Sequence, residues 1–164
     1  MARFGCGEDA RSIASTTLGF FENPFLVEAM SRLLDQVVGH QDVIENFLHA
    51  IETQKIGHAY LLVGPSGIGK RTTALALAQA LLCERSSRAC GECASCLRTA
   101  KPPTESLLVL EPVKNLIKLE QAEQAIQFLQ LRSLRPRRVI VIDGADCLNP
   151  QAANSLLKVI EEPP

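Results

Sequence analysis

The chain has 164 residues, 46% of them hydrophobic and 21% charged, with a formal net charge of −1. This is a globular composition, sufficient for one domain with a real core and too short for two ordinary ones. Near-neutral charge gives no general reason for the whole surface to bind DNA, no apolar run approaches the ~20 residues of a membrane span, and Met1–Ala10 lacks the apolar stretch of a signal peptide, so a cytoplasmic address is expected.

Residues 1–29 differ from the rest of the chain: Phe4, Phe20, Phe21 and Phe25 sit among Ser, Thr, Gly and Asn without a helical or strand period. They read as an N-terminal extension, disordered, ordered only by packing against something, or upstream of the true start. Met30 opens the coherent segment, 30–164. After the turn at Gly39-His40, a helix is predicted over 41–53, with Val43, Ile44, Phe47, Leu48 and Ile51 on one face. His40, His49 and His58 are too scattered to form a metal set.

Ala59-Tyr60-Leu61-Leu62-Val63 predicts a buried strand, followed by Gly64-Pro65-Ser66-Gly67-Ile68-Gly69-Lys70 and an Ala/Leu-rich helix to Leu82. Strand, glycine-rich turn and helix make a phosphate-binding loop. Glycines let successive N–H groups point at a phosphate, the helix start adds partial positive charge, and Lys70 reaches the outer phosphates. The plainer reading is a tight turn with a surface lysine. The residue after that lysine should be Ser or Thr, whose hydroxyl ligates Mg²⁺, and here it is Arg71. Thr72 follows, but one residue turns a side chain about 100° around a helix. ATP with Mg²⁺ is the expected ligand class, with hydrolysis in question.

Cys83, Cys90, Cys93 and Cys96 form C-x6-C-x2-C-x2-C. Four thiolates on tight turns close the tetrahedral shell of a structural Zn²⁺, leaving no open position for catalysis. Iron–sulfur ligation and four reduced cysteines without a metal are the alternatives. Cys6 and Cys147 stand apart, Cys147 reading as a buried apolar residue beside the strand that ends at Ile142.

Beyond Pro102-Pro103, a strand is predicted over 106–110. Leu119, Ala122, Ile126 and Leu129 mark a helix, and 138–143 is a third strand ending in Asp143. Arg132, Arg135, Arg137 and Arg138 read as a solvated loop, or more sharply as a DNA or phosphate contact without adjacent support. Asn149-Pro150 is an N-cap followed by proline at the first helical position, opening a helix that presents Ala153, Leu156, Leu157 and Ile160. Apolar strands alternating with helices indicate an α/β fold with a parallel sheet. Asp143 at a strand's carboxyl end suits a Mg²⁺-holding carboxylate. Gly144 after it can do no acid–base work, and Asp146 is three residues away. No residue is assigned a catalytic role.

Together these motifs resemble the clamp-loader branch of the AAA+ proteins, most closely the delta-prime subunits of bacterial DNA polymerase III. The likeness runs over about 33–164, through Val38-Gly39-His40, His58 to Pro65, the four-cysteine module, Ile140 to Asp146 and Ala152 to Pro164. It implies a P-loop NTPase parallel sheet flanked by helices, with a zinc module at 83–96. It implies a stator-like part of the DNA polymerase III holoenzyme that binds nucleotide with little hydrolysis of its own. The other loader subunits (gamma/tau and delta) would be its partners, with the sliding clamp and primed DNA engaged through the complex and no membrane. The motor subunits of the family look like Gly-Lys-Thr and Asp-Glu where this chain has Lys70-Arg71 and Asp143-Gly144.

Relative to that family, Pro164 falls before the sensor strand, finger segment, lid and collar, so arginine-finger residues are not assigned. The family sheet order, 5-1-4-3-2, places a fourth strand between the phosphate-loop strand and the Asp143 strand. Without it, residues 1–164 are expected to be marginally stable, aggregation-prone, or rearranged so that the strands near 61 and 140 pair directly. The alternative functions are an active gamma/tau-like ATPase using Thr72 and Asp146, and a zinc-ribbon nucleic-acid-binding module with a vestigial loop. A small-molecule phosphotransferase is a distant third.

Overall fold

The computed structural model describes residues 32–131 and 137–162. The predicted extension 1–29 with Cys6, the arginines at 132 and 135, and Pro163-Pro164 lie outside them.

Helix α1 spans Gln41–Glu52. Gly39 and His40 both stand in the left-handed region, at φ 81° and 59°, and turn the chain into the helix. Ile44, Phe47 and Leu48 are its buried stripe, at i, i+3 and i+4. Val43, predicted for that face, is exposed at its edge. The stripe packs on Leu77 and Ala80 of α2, Lys70–Leu82. Helix α2 is buried on two sides, because its Ala78 also meets Leu107 and Val141. Its alanines allow that double approach: a methyl group leaves room for neighbours on both flanks.

A short helix α3, Ala94–Thr99, follows in the cysteine segment. The sheet then forms from β1, Leu107–Leu110, and β2, Val139–Ile142, paired in parallel with Leu107 opposite Val139 and Leu110 opposite Ile142. Helix α4, Leu119–Gln130, lies in the crossover between them, and α5 spans Pro150–Glu161. Leu110, Ala122, Ala125, Ala152 and Leu156 form a core that joins β1, α4 and α5. The predicted cap is present: Asn149 Oδ1 accepts from the Ala152 N–H at 2.7 Å, and Pro150 opens the helix. The buried face of α5 is turned from the predicted one. Ala152 and Leu156 meet α4, whereas Leu157 and Ile160 remain exposed.

Two expectations need correction. The strand predicted at 59–63 joins no ladder among the described residues, whose one sheet has two strands. Nor does it pair with the strand near 140, which is hydrogen-bonded to β1. A strand needs a partner for its backbone groups, and none of the described strands lies beside this segment. It is exposed rather than buried, Leu61 at 77% and Val63 at 85%. Tyr60 fastens it, meeting the Phe47 ring edge-on at 4.8 Å between centroids and accepting the Gly57 N–H at 2.8 Å.

Candidate functional site

The loop from Gly64 to Lys70 has the backbone shape its glycines predict. Gly67 and Gly69 take φ of 79° and 92°, a region where a side chain would be strained, and Gly69 caps the start of α2. The cap is reinforced by Thr73, whose Oγ1 donates to the Gly69 carbonyl at 3.0 Å. Ile68 offers its carbonyl to His40 Nε2 at 2.9 Å, which ties the loop to the start of α1. Lys70 folds over the loop and donates from Nζ to the carbonyls of Gly64 and Pro65, both at 2.8 Å. Its ammonium therefore sits across the loop's mouth, where it can be shared with an anion. Ser66 is exposed at the turn, and Thr72 is half-buried on α2.

Arg71 decides the chemistry of the neighbouring carboxylates. Its Nη1 donates to Asp143 Oδ2 at 2.8 Å, and its Nη2 donates to Glu111 Oε1. The Glu111 and Asp143 carboxylates together hold the guanidinium pKa above its ordinary value. Glu111 belongs to none of the sequence motifs, although the sequence holds a signal for it. It is the first polar residue after the apolar run Leu107–Leu110, as Asp143 is after Val139–Ile142. The register sets Leu110 opposite Ile142, so the two carboxylates leave the same end of a parallel sheet. The Asp143 N–H bonds to the Leu110 carbonyl at 2.9 Å, and Gln121 Nε2 holds the Glu111 carbonyl at 2.9 Å. Gly144 follows at φ 79°, opening the 3-10 turn Ala145–Cys147 that carries Asp146.

A magnesium ion in this position would need oxygen ligands and free carboxylates. Here the hydroxyl expected after Lys70 is replaced by a guanidinium, and that guanidinium covers Asp143. The residues present do not fit Mg²⁺.

The four cysteines form a second centre. Their Sγ atoms all lie within 4.8 Å of one another. Cys83 is 3.7 Å from Cys90 and 3.9 Å from Cys93, and Cys90 is 4.0 Å from Cys96. A tetrahedron with Zn–S bonds of ~2.3 Å has edges of about 3.8 Å, so the spacing suits a tetrahedral ion. Backbone N–H groups point at the sulfurs: Cys90 at Cys83, Cys93 at Cys90 and Cys96 at Cys93, all at 3.3–3.4 Å. These donors favour thiolates. Burial works against the Cys93 thiolate, but the N–H groups of Glu84 and Cys96 outweigh it and bring the pKa down to about 6. Burial dominates at Cys96 and pushes its thiol up. The four can hold a metal ion, and the donor set fits zinc. Cys147 stands outside the cluster, half-buried beside Gly144 rather than buried as expected.

The knuckle is fastened to the rest of the fold. Gln79, fully buried on α2, donates from Nε2 to the Cys96 carbonyl at 3.0 Å and accepts the Leu33 N–H at 2.8 Å. Arg88 forks onto both oxygens of Glu45 on α1 at 2.9 and 2.7 Å. Among the described residues, no helix is long and apolar enough to cross a membrane. Of the basic cluster before β2, Arg138 stacks over the Phe128 ring and donates to its carbonyl.

Comparison with known proteins converges on one family. The model of the family described as "DNA polymerase III, delta subunit" matches residues 39–164. The delta' subunit of DNA polymerase III from Pseudomonas aeruginosa is 42% identical over 111 residues, 65% of this chain and 34% of that protein. The delta' subunit from Bacillus subtilis is 35% identical over 124 residues, 74% of this chain and 37% of its own length. The Bacillus subtilis tau subunit is 30% identical over 134 residues, 79% of this chain and 23% of its own length. The chain thus spans about a third of the length of these delta' relatives. A family match that takes in the glycine-rich loop, the cysteine knuckle and both sheet strands means that this chain belongs to the DNA polymerase III delta subunit family.

Proposed function

We propose that the chain is the nucleotide-loop part of a delta-prime-like subunit of the DNA polymerase III clamp loader, acting in the cytoplasm. In this reading it assembles with gamma/tau and delta subunits to load the sliding clamp onto primed DNA. Residues Gly64 to Lys70 hold a nucleotide's phosphates, with Arg71, Thr72 and Asp143 at its edge, and hydrolysis by this chain is slow or absent. The carrying observation is Arg71: the side chain that follows the loop lysine is bonded to Asp143. With Gly144 next to Asp143, no carboxylate stands at the adjacent position to activate water. The names of the delta' relatives support the same reading.

The four cysteines hold a structural zinc that would fix the knuckle against α2 and take no part in chemistry. A gamma/tau-like motor is the second reading, favoured by likeness to the tau subunit. It requires Asp143 to be free for a metal ion, which the Arg71 contact opposes. A nucleic-acid-binding knuckle is disfavoured by charge: Arg85 faces Glu92 at 3.7 Å, and Arg88 is committed to Glu45.

The test is reconstitution of the full-length protein with its gamma/tau and delta partners, measuring ATP turnover and clamp loading. Clamp loading that needs this subunit, with turnover unchanged by Lys70→Ala in it, is expected. Turnover by the subunit alone that vanishes in Lys70→Ala would replace the proposal with the motor reading.

A further inference from the structure

We propose that the Arg71 guanidinium is a built-in substitute for the divalent cation, so that this loop takes nucleotide phosphates without Mg²⁺. The inference rests on the reading of the loop as a nucleotide site and concerns how that site is charged. Three groups carry it. Asp143 and Glu111 leave the same end of the parallel sheet and both bond the residue that follows Lys70, and two adjacent carboxylates there would repel an incoming polyphosphate unless a cation lay between them. Arg71 supplies that cation covalently. It starts from the first turn of α2, beside Lys70, and reaches across 40 and 72 residues of sequence to bond both carboxylates. A divalent ion in the same place would have to displace a guanidinium that can never lose its proton.

The exchange also alters which ligand is favoured. A metal site selects the nucleotide as its Mg²⁺ complex, whereas a fixed arginine selects the free anion. Two of the five guanidinium N–H groups face the carboxylates, which leaves others for a phosphate oxygen. Magnesium should therefore compete with the protein for nucleotide instead of assisting it. The exposure of Arg71, 44% of its side chain, leaves the group reachable from solvent at the loop's mouth.

The experiment uses the full-length protein and its Arg71→Ser variant, with melting curves to establish that both are folded. Affinity for ADP is measured calorimetrically in EDTA and in excess Mg²⁺, and Mn²⁺ is titrated by electron paramagnetic resonance without nucleotide. For the natural protein, ADP affinity in Mg²⁺ should be equal to or weaker than in EDTA, and Mn²⁺ should not bind at this site. Arg71→Ser should gain Mn²⁺ binding, lost again when Asp143→Asn is added, and its ADP affinity should rise about tenfold with Mg²⁺. An affinity of the natural protein that rises tenfold with Mg²⁺ overturns the inference and leaves the nucleotide reading standing. Absence of ADP binding by the natural protein overturns both the nucleotide reading and the claim of metal-free phosphate binding, and Mn²⁺ gained by Arg71→Ser would then show only that the guanidinium occupies a cation's place. No Mn²⁺ gain in Arg71→Ser overturns the substitution whatever ADP does.

Discussion

Replacing Gln79 by leucine should destabilise this domain although the two side chains have similar volume. Gln79 is fully buried where α2, the segment at Leu33 and the cysteine knuckle meet. Leucine leaves the shape filled but strands the Leu33 N–H and removes one of two donors from the Cys96 carbonyl, which keeps the Ala100 N–H at 3.1 Å. A buried polar group left without a partner costs ~1–3 kcal/mol and a lost second bond somewhat less, and the partly buried Leu33 N–H regains some water, so the expected loss is about 1–3 kcal/mol. For a domain of this size that corresponds to a melting midpoint lower by roughly 3–10 °C. Gln79→Glu, matched in shape, should lose at least as much at neutral pH, because a carboxylate cannot donate to the Cys96 carbonyl. The assay is urea unfolding with metal content checked in each variant. A Gln79→Leu stability within ~0.5 kcal/mol of the natural protein would refute the reasoning, since it would mean that the two bonds are not made in solution.

Two other outcomes rest on local geometry. Asn149→Ala removes the side-chain acceptor that caps α5 and should cost ~1 kcal/mol by chemical unfolding, whereas Asn149→Asp should retain most of the stability. The metal-free knuckle should be stabilised by Cys93 at high pH: its folded pKa of about 6 lies below the ordinary thiol value of 9.0, so the contribution is present above that value and is lost as pH falls through about 6. Metal uptake should weaken in the same direction, because protons and the ion compete for the same sulfurs, and zinc retention measured by elemental analysis across pH 5–8, a range of about three units, checks it.

The local turns of the candidate site are readable in the sequence because they need no distant partner. Glycine spacing in 64–69 and cysteine spacing in 83–96 each specify a turn whose geometry needs no distant partner, and Asn149-Pro150 specifies a helix start for the same reason. The unreadable part depends on pairing across the chain. In the sequence Arg71 is a missing hydroxyl, and its pairing with two carboxylates emerges only once the sheet sets Glu111 beside Asp143. Gln79 is one more residue of an alanine-rich helix, and nothing in its spacing announces two backbone partners 46 and 17 residues away. The predicted faces of α1 and α5 are each partly misplaced at their edges, since periodicity gives a stripe but not the angle at which a neighbour meets it.

The segment Ala59–Val63 is the clearest case of composition outrunning context. Five apolar residues predict a buried strand, yet burial and ladder bonds come from neighbours, and among the described residues no strand flanks these five. The consequence can be measured. Within residues 1–164, Val63→Asp should change stability by no more than ~0.5 kcal/mol, because Val63 is 85% exposed and the carboxylate stays in water. Val141→Asp, on the paired strand β2 and 8% exposed, should cost several kcal/mol, about 3–5, because it buries a charge without a partner. Hydrogen exchange should show the same division, with the amides of 61–63 exchanging fast and those of 139–142 protected. Comparable losses from the two substitutions in this chain would refute the exposed arrangement. A large loss from Val63→Asp confined to the full-length protein would instead show that other residues cover the segment there. The apolar character of Leu61 and Val63 would then be explained by a neighbour rather than by this part of the chain.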